Sequence, residues 1–388
     1  MRFLLLLLLA LPPTLHGATD NIWSIVHFSD CHAGLTSHGT HRTNAETFMS
    51  WIYARTNDGV WNIRGLISTG DVYQQQTSYD VGGIFYTDYK WQWTELTNAF
   101  NQLRTNGLFV WLCDGNHDAD NFNDRYWDNS IGYSGLNGSD VAKAWTNAFP
   151  LGFFTNQLGF VSNYFAGTST PNESKMCAMS YTNGDIKLLW IPISCAFTQN
   201  VGGVKYSIRD GTAPMMQWAT NLANSRPDHN VILGAHFLLS WTPEIGQPHF
   251  RDDYGEGSQI YQYLAHGKAP FEVGGLQITN TLMWLSGHTR SLYSGHVTLR
   301  DVSGHPFDVQ CFNAQNMLGH ASGYWNGRYA RILTFNARTK TVWMRTWDVL
   351  LDVEVTSLTR EIGSQTFSYP TQWKIPLSIP RQKRIIKQ

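Results

Sequence analysis

The chain has 388 residues, enough for one large domain or two ordinary ones. Its formal net charge is -1 and charged residues are only 15%, which argues against a protein whose main task is gripping nucleic acid or an anionic membrane electrostatically. Aromatics reach 14%, with 16 Trp, enough area for a large core or an aromatic-lined cleft and too much for a disordered chain.

The N-terminus reads as a signal peptide over residues 1–18. Met1 and Arg2 supply the positive start, Phe3 to Leu11 is an unbroken apolar run, and Pro12, Pro13, Gly17 and Ala18 follow where cleavage is expected. The run is too short to span a bilayer and no comparable stretch appears later, so no transmembrane segment is expected. A secreted or periplasmic location follows. Five Cys remain: Cys31, Cys113, Cys177, Cys195 and Cys311. In an exported protein an odd number leaves at least one unpaired within the monomer. Their spacings match no zinc signature, and Cys177 and Cys195 either bridge neighbouring strands or stay as buried thiols.

Ile22 to Phe28 is a predicted strand that runs into Ser29-Asp30-Cys31-His32. A helix is predicted over Asn44 to Arg55, where Ala45, Phe48, Met49, Ile52 and Tyr53 keep helical spacing. Gly65 to Ser68 leads into Thr69-Gly70-Asp71, and Gln74 to Tyr89 reads as a long surface loop. Trp91 to Leu103 is a second helix. Leu108 to Cys113 then leads into Asp114-Gly115-Asn116-His117-Asp118, and Ser139 to Phe149 is a third helix. Leu151 to Thr182, rich in Gly, Asn, Thr and Phe, reads as another loop. Pro214 opens a helix through Met215, Trp218, Ala219 and Leu222. Two more apolar runs follow: Val231 to Gly234 ends in Ala235-His236, and Thr281 to Ser286 ends in Gly287-His288-Thr289-Arg290. Tyr329 to Phe335 and Thr341 to Trp347 alternate around a five-residue turn, a hairpin pattern. There is no internal repeat and no linker, so one domain over 19–375 is expected, with a basic tail over 376–388.

Alternating strands and helices imply an α/β chain with a largely parallel or mixed sheet covered by helices. In such sheets functional groups gather in the loops after strand C-termini. All five polar clusters occupy that position. Their chemistry is coherent: hard oxygen and imidazole ligands without thiolate suit Mn, Fe, Zn or Mg more than copper. Asp30 and His32 sit two apart at a strand end, where a turn aims both at one ion. Asp71 follows Gly70, whose missing side chain lets backbone approach closely. Asn116 offers a neutral carbonyl, and His236 and His288 add imidazoles.

At these residues the chain resembles the calcineurin-like metallophosphoesterases, as a secreted bacterial-type member. That family carries, in order, D-x-H, G-D, G-N-H-[DE], a lone His after a strand, and G-H-x-H. Here these are Asp30-Cys31-His32, Gly70-Asp71, Gly115-Asn116-His117-Asp118, Ala235-His236 and Gly287-His288-Thr289-Arg290. The resemblance implies two mixed β-sheets packed face to face and flanked by helices. It also implies two divalent or trivalent metal ions. Asp30, His32 and Asp71 would hold the first, with Asp71 bridging to a second completed by Asn116, His236 and His288. A metal-bound hydroxide would attack the phosphorus of a small-molecule or macromolecular phosphomonoester or phosphodiester, and no specific nucleic-acid binding is expected. His117 would face the scissile ester, stabilising charge or protonating the leaving group. Asp118 would either orient His117 or cap the following segment.

One departure stands out. The family's last motif ends in a His that helps hold the first metal, and Arg290 occupies that position here. Arg stays protonated and cannot ligate, so the first site has three protein ligands and is expected to be the weaker. Arg290 either grips a substrate phosphate or pairs with a surface carboxylate. The same departure keeps a second function in play: a weak or inactive member that binds a phosphorylated or carbohydrate ligand.

Overall fold

The computed structural model describes residues 21–30, 40–72, 89–115, 118, 145, 148–164, 176–194, 199–201, 204–206, 208–236, 238–241, 248–250, 257–267, 277–288, 294–313, 329–356, 358–362, 365–369 and 371–377. The signal-peptide segment 1–18, the loop read over 74–89 except its last residue, and the tail beyond residue 377 lie outside them.

In chain order the first half supplies β1 (Ile22–Phe28), α1 (Thr40–Ala54), β2 (Ile63–Ser68), α2 (Tyr89–Thr105), β3 (Phe109–Leu112), α3 (Leu151–Thr155), β4 (Phe160–Asn163), β5 (Cys177–Asn183) and β6 (Ile186–Ile193). A short hairpin, β7 (Gln199–Val201) and β8 (Val204–Tyr206), precedes α4 (Ile208–Asn224) and β9 (Asn230–Ala235). A second hairpin, β10 (Leu239–Trp241) and β11 (Pro248–Phe250), precedes α5 (Gly257–His266), β12 (Thr281–Ser286), β13 (Ser294–Arg300) and β14 (Pro306–Phe312). The chain then runs through β15 (Tyr329–Asn336), β16 (Thr341–Asp348), β17 (Val353–Glu354), the β18 (Leu358–Ile362) and β19 (Gln365–Tyr369) hairpin, and β20 (Gln372–Pro376).

Two seven-stranded mixed sheets result. The first runs β17-β16-β15-β1-β2-β3, with β20 also on β16; the second runs β13-β14-β12-β9-β6-β5-β4. β1, β2 and β3 are mutually parallel, as are β6, β9, β12 and β14, so the C-terminal ends within each set lie at one edge. Strand periodicity explains how the sheets are covered. On β1, Trp23 meets Tyr181 and His27 meets Phe312, both on the opposite sheet, while Phe28 packs on Phe48 of α1 and Phe100 of α2. Trp111 stacks on Trp190 across the same interface, at 6.2 Å. On the outer face of the second sheet Trp284 and Phe307 pack against Tyr261 of α5. Strands covered on both faces read as continuous apolar runs, and β9 and β12 are buried along their whole length.

The segment 151–182, read from composition as a loop, is structured differently: it holds α3, the edge strand β4 and most of β5. The whole of β4 is only half-buried, and an edge strand with one solvated side tolerates the polar composition that suggested a loop. Gly159 has φ +94° and comes so close to the Ser180 backbone that no side chain fits. The helix read over 139–149 is seen at Trp145 and Ala148 and has ended by Phe149, a bend; residues 139–144, 146 and 147 lie outside the described residues. Cys177 is buried on β5, and Cys195, its suggested partner, lies outside the described residues. No described helix is long and apolar enough to cross a membrane.

Candidate metal centre

The two sheets are tied together at the edge where the parallel strands end, rank by rank. After β1, both carboxylate oxygens of Asp30 accept the His288 N–H that follows β12, at 3.0 and 2.8 Å. After β2, the Thr69 carbonyl accepts the Nδ1–H of His236, which follows β9, at 2.7 Å. After β3, Asp114 accepts the hydroxyl of Ser194, which follows β6, at 2.7 Å. Each tie joins a polar residue just beyond one strand to one just beyond another. The sequence clusters therefore converge on one place.

At its centre, donor atoms of Asp71, His236 and His288 all lie within 4.8 Å of one another. His236 Nε2 approaches Asp71 Oδ2 at 3.1 Å, and the His236 and His288 rings meet at 5.0 Å and 74°. Because Nδ1 of His236 is spent on the Thr69 carbonyl, Nε2 is the nitrogen turned to the centre, the arrangement by which outer partners orient a ligating imidazole. Asp30 and Asp71 are both buried. Burial pushes the Asp30 carboxyl up to about 7, opposed by His236 and reinforced by the Asp71 charge. Burial acts to lower His236, but Asp71 and Asp30 together outweigh it and bring the imidazole up to about 9. A proton on His236 thus balances two buried carboxylates. Asp71, His236 and His288 are a group that could hold a metal ion, whose binding would release such a proton. Carboxylate and imidazole donors fit the borderline-hard ions expected there.

The backbone is shaped to make this convergence. Asp30, Asp71 and His288 all have left-handed backbones, at φ 55°, 48° and 65°. Asp and His enter this region more readily than most residues, yet each such residue costs about 1–3 kcal/mol unless its surroundings fix it. Three glycines let the loops close. Gly70, at φ +101°, abuts the Gly115 backbone; a side chain on Gly115 would strike Asp71, and one on Gly287 would strike Ser29 and Asp30. Ser29 donates to Asp30 Oδ2 at 2.7 Å, and Asp30 N–H bonds the Gly70 carbonyl at 3.0 Å.

Of the residues singled out from sequence, Asp71, His236 and His288 are brought together, and Asp30 adjoins them. His32, Asn116, His117 and Arg290 lie outside the described residues. Asp118 is buried, and its Oδ2 accepts the N–H groups of Val72 at 3.2 Å and Gly115 at 2.9 Å. It therefore fastens the loop bearing Asp71 to the loop bearing Asn116. Removing this acceptor strands two backbone donors, so Asp118→Ala should lower unfolding free energy by about 1–3 kcal/mol for each one left unsatisfied. Asp118→Asn, which keeps an acceptor oxygen, should recover part of that; denaturant titration of the metal-free chain reads the difference. Ser29, Thr69, Asp114 and Ser194 had no role assigned from sequence, and close backbone approach was read only at Gly70. Only a glycine directly before each of Asp71, Asn116 and His288 signalled close packing there.

No family model matches the chain, and no curated protein does. Solved structures are similar to it at low identity. A purple acid phosphatase, PPD1, from yellow lupin (Lupinus luteus) seeds aligns at 12% identity and TM-score 0.47, covering 92% of this chain and 54% of that one. The NAD nucleotidase of Haemophilus influenzae aligns at 12% and 0.43, covering 90% and 50%. GAP50, the anchor in the inner membrane complex of Plasmodium, aligns at 10% and 0.40, covering 93% and 90%. The chain spans about half the length of the first two.

Proposed function

We propose that this chain is a metal-dependent phosphoesterase of the calcineurin-like kind, acting outside the cytoplasm on a phosphomonoester or phosphodiester. The observation that carries the reading is the convergence of buried Asp71, buried His236 and half-buried His288 from three strand ends on two sheets. Asp71, His236 and His288, with Asn116, would hold one ion; Asp30, His32 and Asp71 would hold another. Ions bound there supply Lewis-acid polarisation of phosphate and a water of lowered pKa.

The chain's own residues do the rest. Asp71 would belong to both ligand sets and supply the charge they share. His236 is oriented by Thr69 and lies against Asp71, so its ring would need only to lose the Nε2 proton to ligate. His117, next to Asn116 in the sequence, would face the ester and stabilise charge on the phosphate or protonate the leaving oxygen. Arg290, two residues after His288, would either offer its guanidinium to a phosphate oxygen pair or pair with a surface carboxylate.

Turnover tests this. The purified full chain should hydrolyse a generic aryl phosphate or its diester in the presence of Mn, Fe, Zn or Mg. Metal bound with no hydrolysis across that panel would instead favour a protein that only binds a phosphorylated or carbohydrate ligand. His117→Ala should keep its metal while kcat falls by about 10²–10⁴-fold, the usual range for a general acid. A leaving group of low pKa should suffer least. Loss of metal in that variant would move His117 into the ligand set.

A further inference from the structure

Between the two sheets lies a buried imidazole that the proposed chemistry does not use. His27 sits on β1 three residues before Asp30, fully buried, and its Nε2 meets the Thr69 hydroxyl at 3.0 Å. Its Nδ1 has no hydrogen-bond partner among the described residues. The ring's one described hydrogen bond therefore goes to Thr69. Thr69 is a junction: its N–H bonds the Phe28 carbonyl at 3.2 Å, its carbonyl holds His236 Nδ1, and Asp71 follows two residues later with a left-handed backbone.

We propose that His27 is a positioning residue for the candidate metal centre, acting through the Thr69 hydroxyl to fix both the carbonyl that orients His236 and the turn that presents Asp71. The inference rests on the metal-centre reading above. Three features support it. Asp71 keeps a strained backbone, which persists only where neighbouring bonds over-determine it, and the His27–Thr69 bond is a side-chain stitch from β1 into that turn. Arg331, the register partner of His27 on β15, is fully buried and reaches across to the opposite sheet, where it donates to Ser294 Oγ at 2.5 Å. Burial, aided by the Arg331 charge, pushes His27 down to about 3, so the ring is neutral at ordinary pH and keeps one donor and one acceptor nitrogen. A neutral imidazole that bonds Thr69 and is not among the donors gathered at the centre is suited to orientation.

Two readouts test the inference on the full chain. First, Mn²⁺ or Zn²⁺ affinity is measured by calorimetry for the wild type, Thr69→Val, Thr69→Ser, His27→Leu and His27→Gln, beside their melting curves. Loss of the hydroxyl or the imidazole should weaken metal binding by about 10–100-fold, the range for outer partners of a ligating His. Thr69→Ser and His27→Gln, which keep a hydrogen-bonding atom in place, should recover most of it. Second, in metal-free chain labelled with ¹⁵N-histidine, the Nδ1–H proton of His236 should exchange about tenfold faster in Thr69→Val and His27→Leu. If both variants melt earlier but keep wild-type affinity and an unchanged His236 proton, His27 only fills the core and the proposal falls. If the wild type itself binds no metal, the metal-centre reading fails, and the His236 proton alone decides whether His27 governs that ring.

Discussion

Asp71→Asn should strip the chain of metal and of activity together. The substitution keeps the shape of the side chain and removes only its charge. In the metal-free chain Asp71 Oδ2 lies 3.1 Å from His236 Nε2, and its charge is the leading force that raises His236 against burial. With ions bound, Asp71 is the proposed bridge. Its loss should therefore exceed the roughly 10–100-fold that changes to outer partners produce, in metal affinity and in turnover alike. The fold should survive, because one buried carboxylate fewer beside Asp30 relieves like-charge repulsion. Elemental analysis and a phosphatase assay on the same preparation read both quantities. Unchanged metal content with full activity would remove Asp71 from the site.

Gly287→Ala should be nearly as damaging, although it adds a single methyl group and touches no proposed ligand atom of His288. That methyl would sit inside contact distance of Ser29 Oγ and Asp30 Oδ2. Both belong to the cross-sheet tie in which Asp30 accepts the His288 N–H. Either the tie breaks or the sheets shift apart where the ligands gather. Overpacking of this kind costs about 1–3 kcal/mol of stability, and a displacement of about 1 Å at a reacting centre costs about 100-fold in rate. Gly304→Ala provides the contrast: nothing lies within 4 Å of its added carbon, so only its φ of +80° opposes the change. A Gly287→Ala chain that binds metal and turns over like the wild type would show that the close approach of these loops is dispensable.

The strand ends were legible because each is a continuous apolar run closed by a small or polar residue. β1 and β12 fall at Ile22–Phe28 and Thr281–Ser286, the bounds read from sequence. The hairpin of β15 and β16 was legible too, since Trp343, Arg345 and Trp347 alternate with buried Val342, Met344 and Thr346. How strands divide between two sheets was not legible in the residue pattern. Periodicity reports which faces are buried and says nothing of what buries them; His27 facing Phe312 and Phe28 facing Phe48 look alike in sequence. At the candidate site the side chains of Asp71, His236 and His288 stood out because each follows an apolar run. The parts that hold them did not, because they act through backbone: the Thr69 carbonyl, the His288 N–H, and the Val72 and Gly115 N–H groups on Asp118.

Asp30, Asp71, His236 and His288 should form a place for metal. Titration of metal-free full chain with Mn²⁺ or Zn²⁺ by calorimetry, with elemental analysis of the protein as purified, tests it most directly. One tightly held ion per chain is expected at the Asp71, His236 and His288 set, and a second, weaker one at the Asp30, His32 and Asp71 set, since the last motif carries Arg290 instead of an imidazole. Hydrolysis should vanish with a chelator and return with the ion. A chain that takes up no metal, or whose uptake survives replacement of His236 and His288 by Ala, would contradict it.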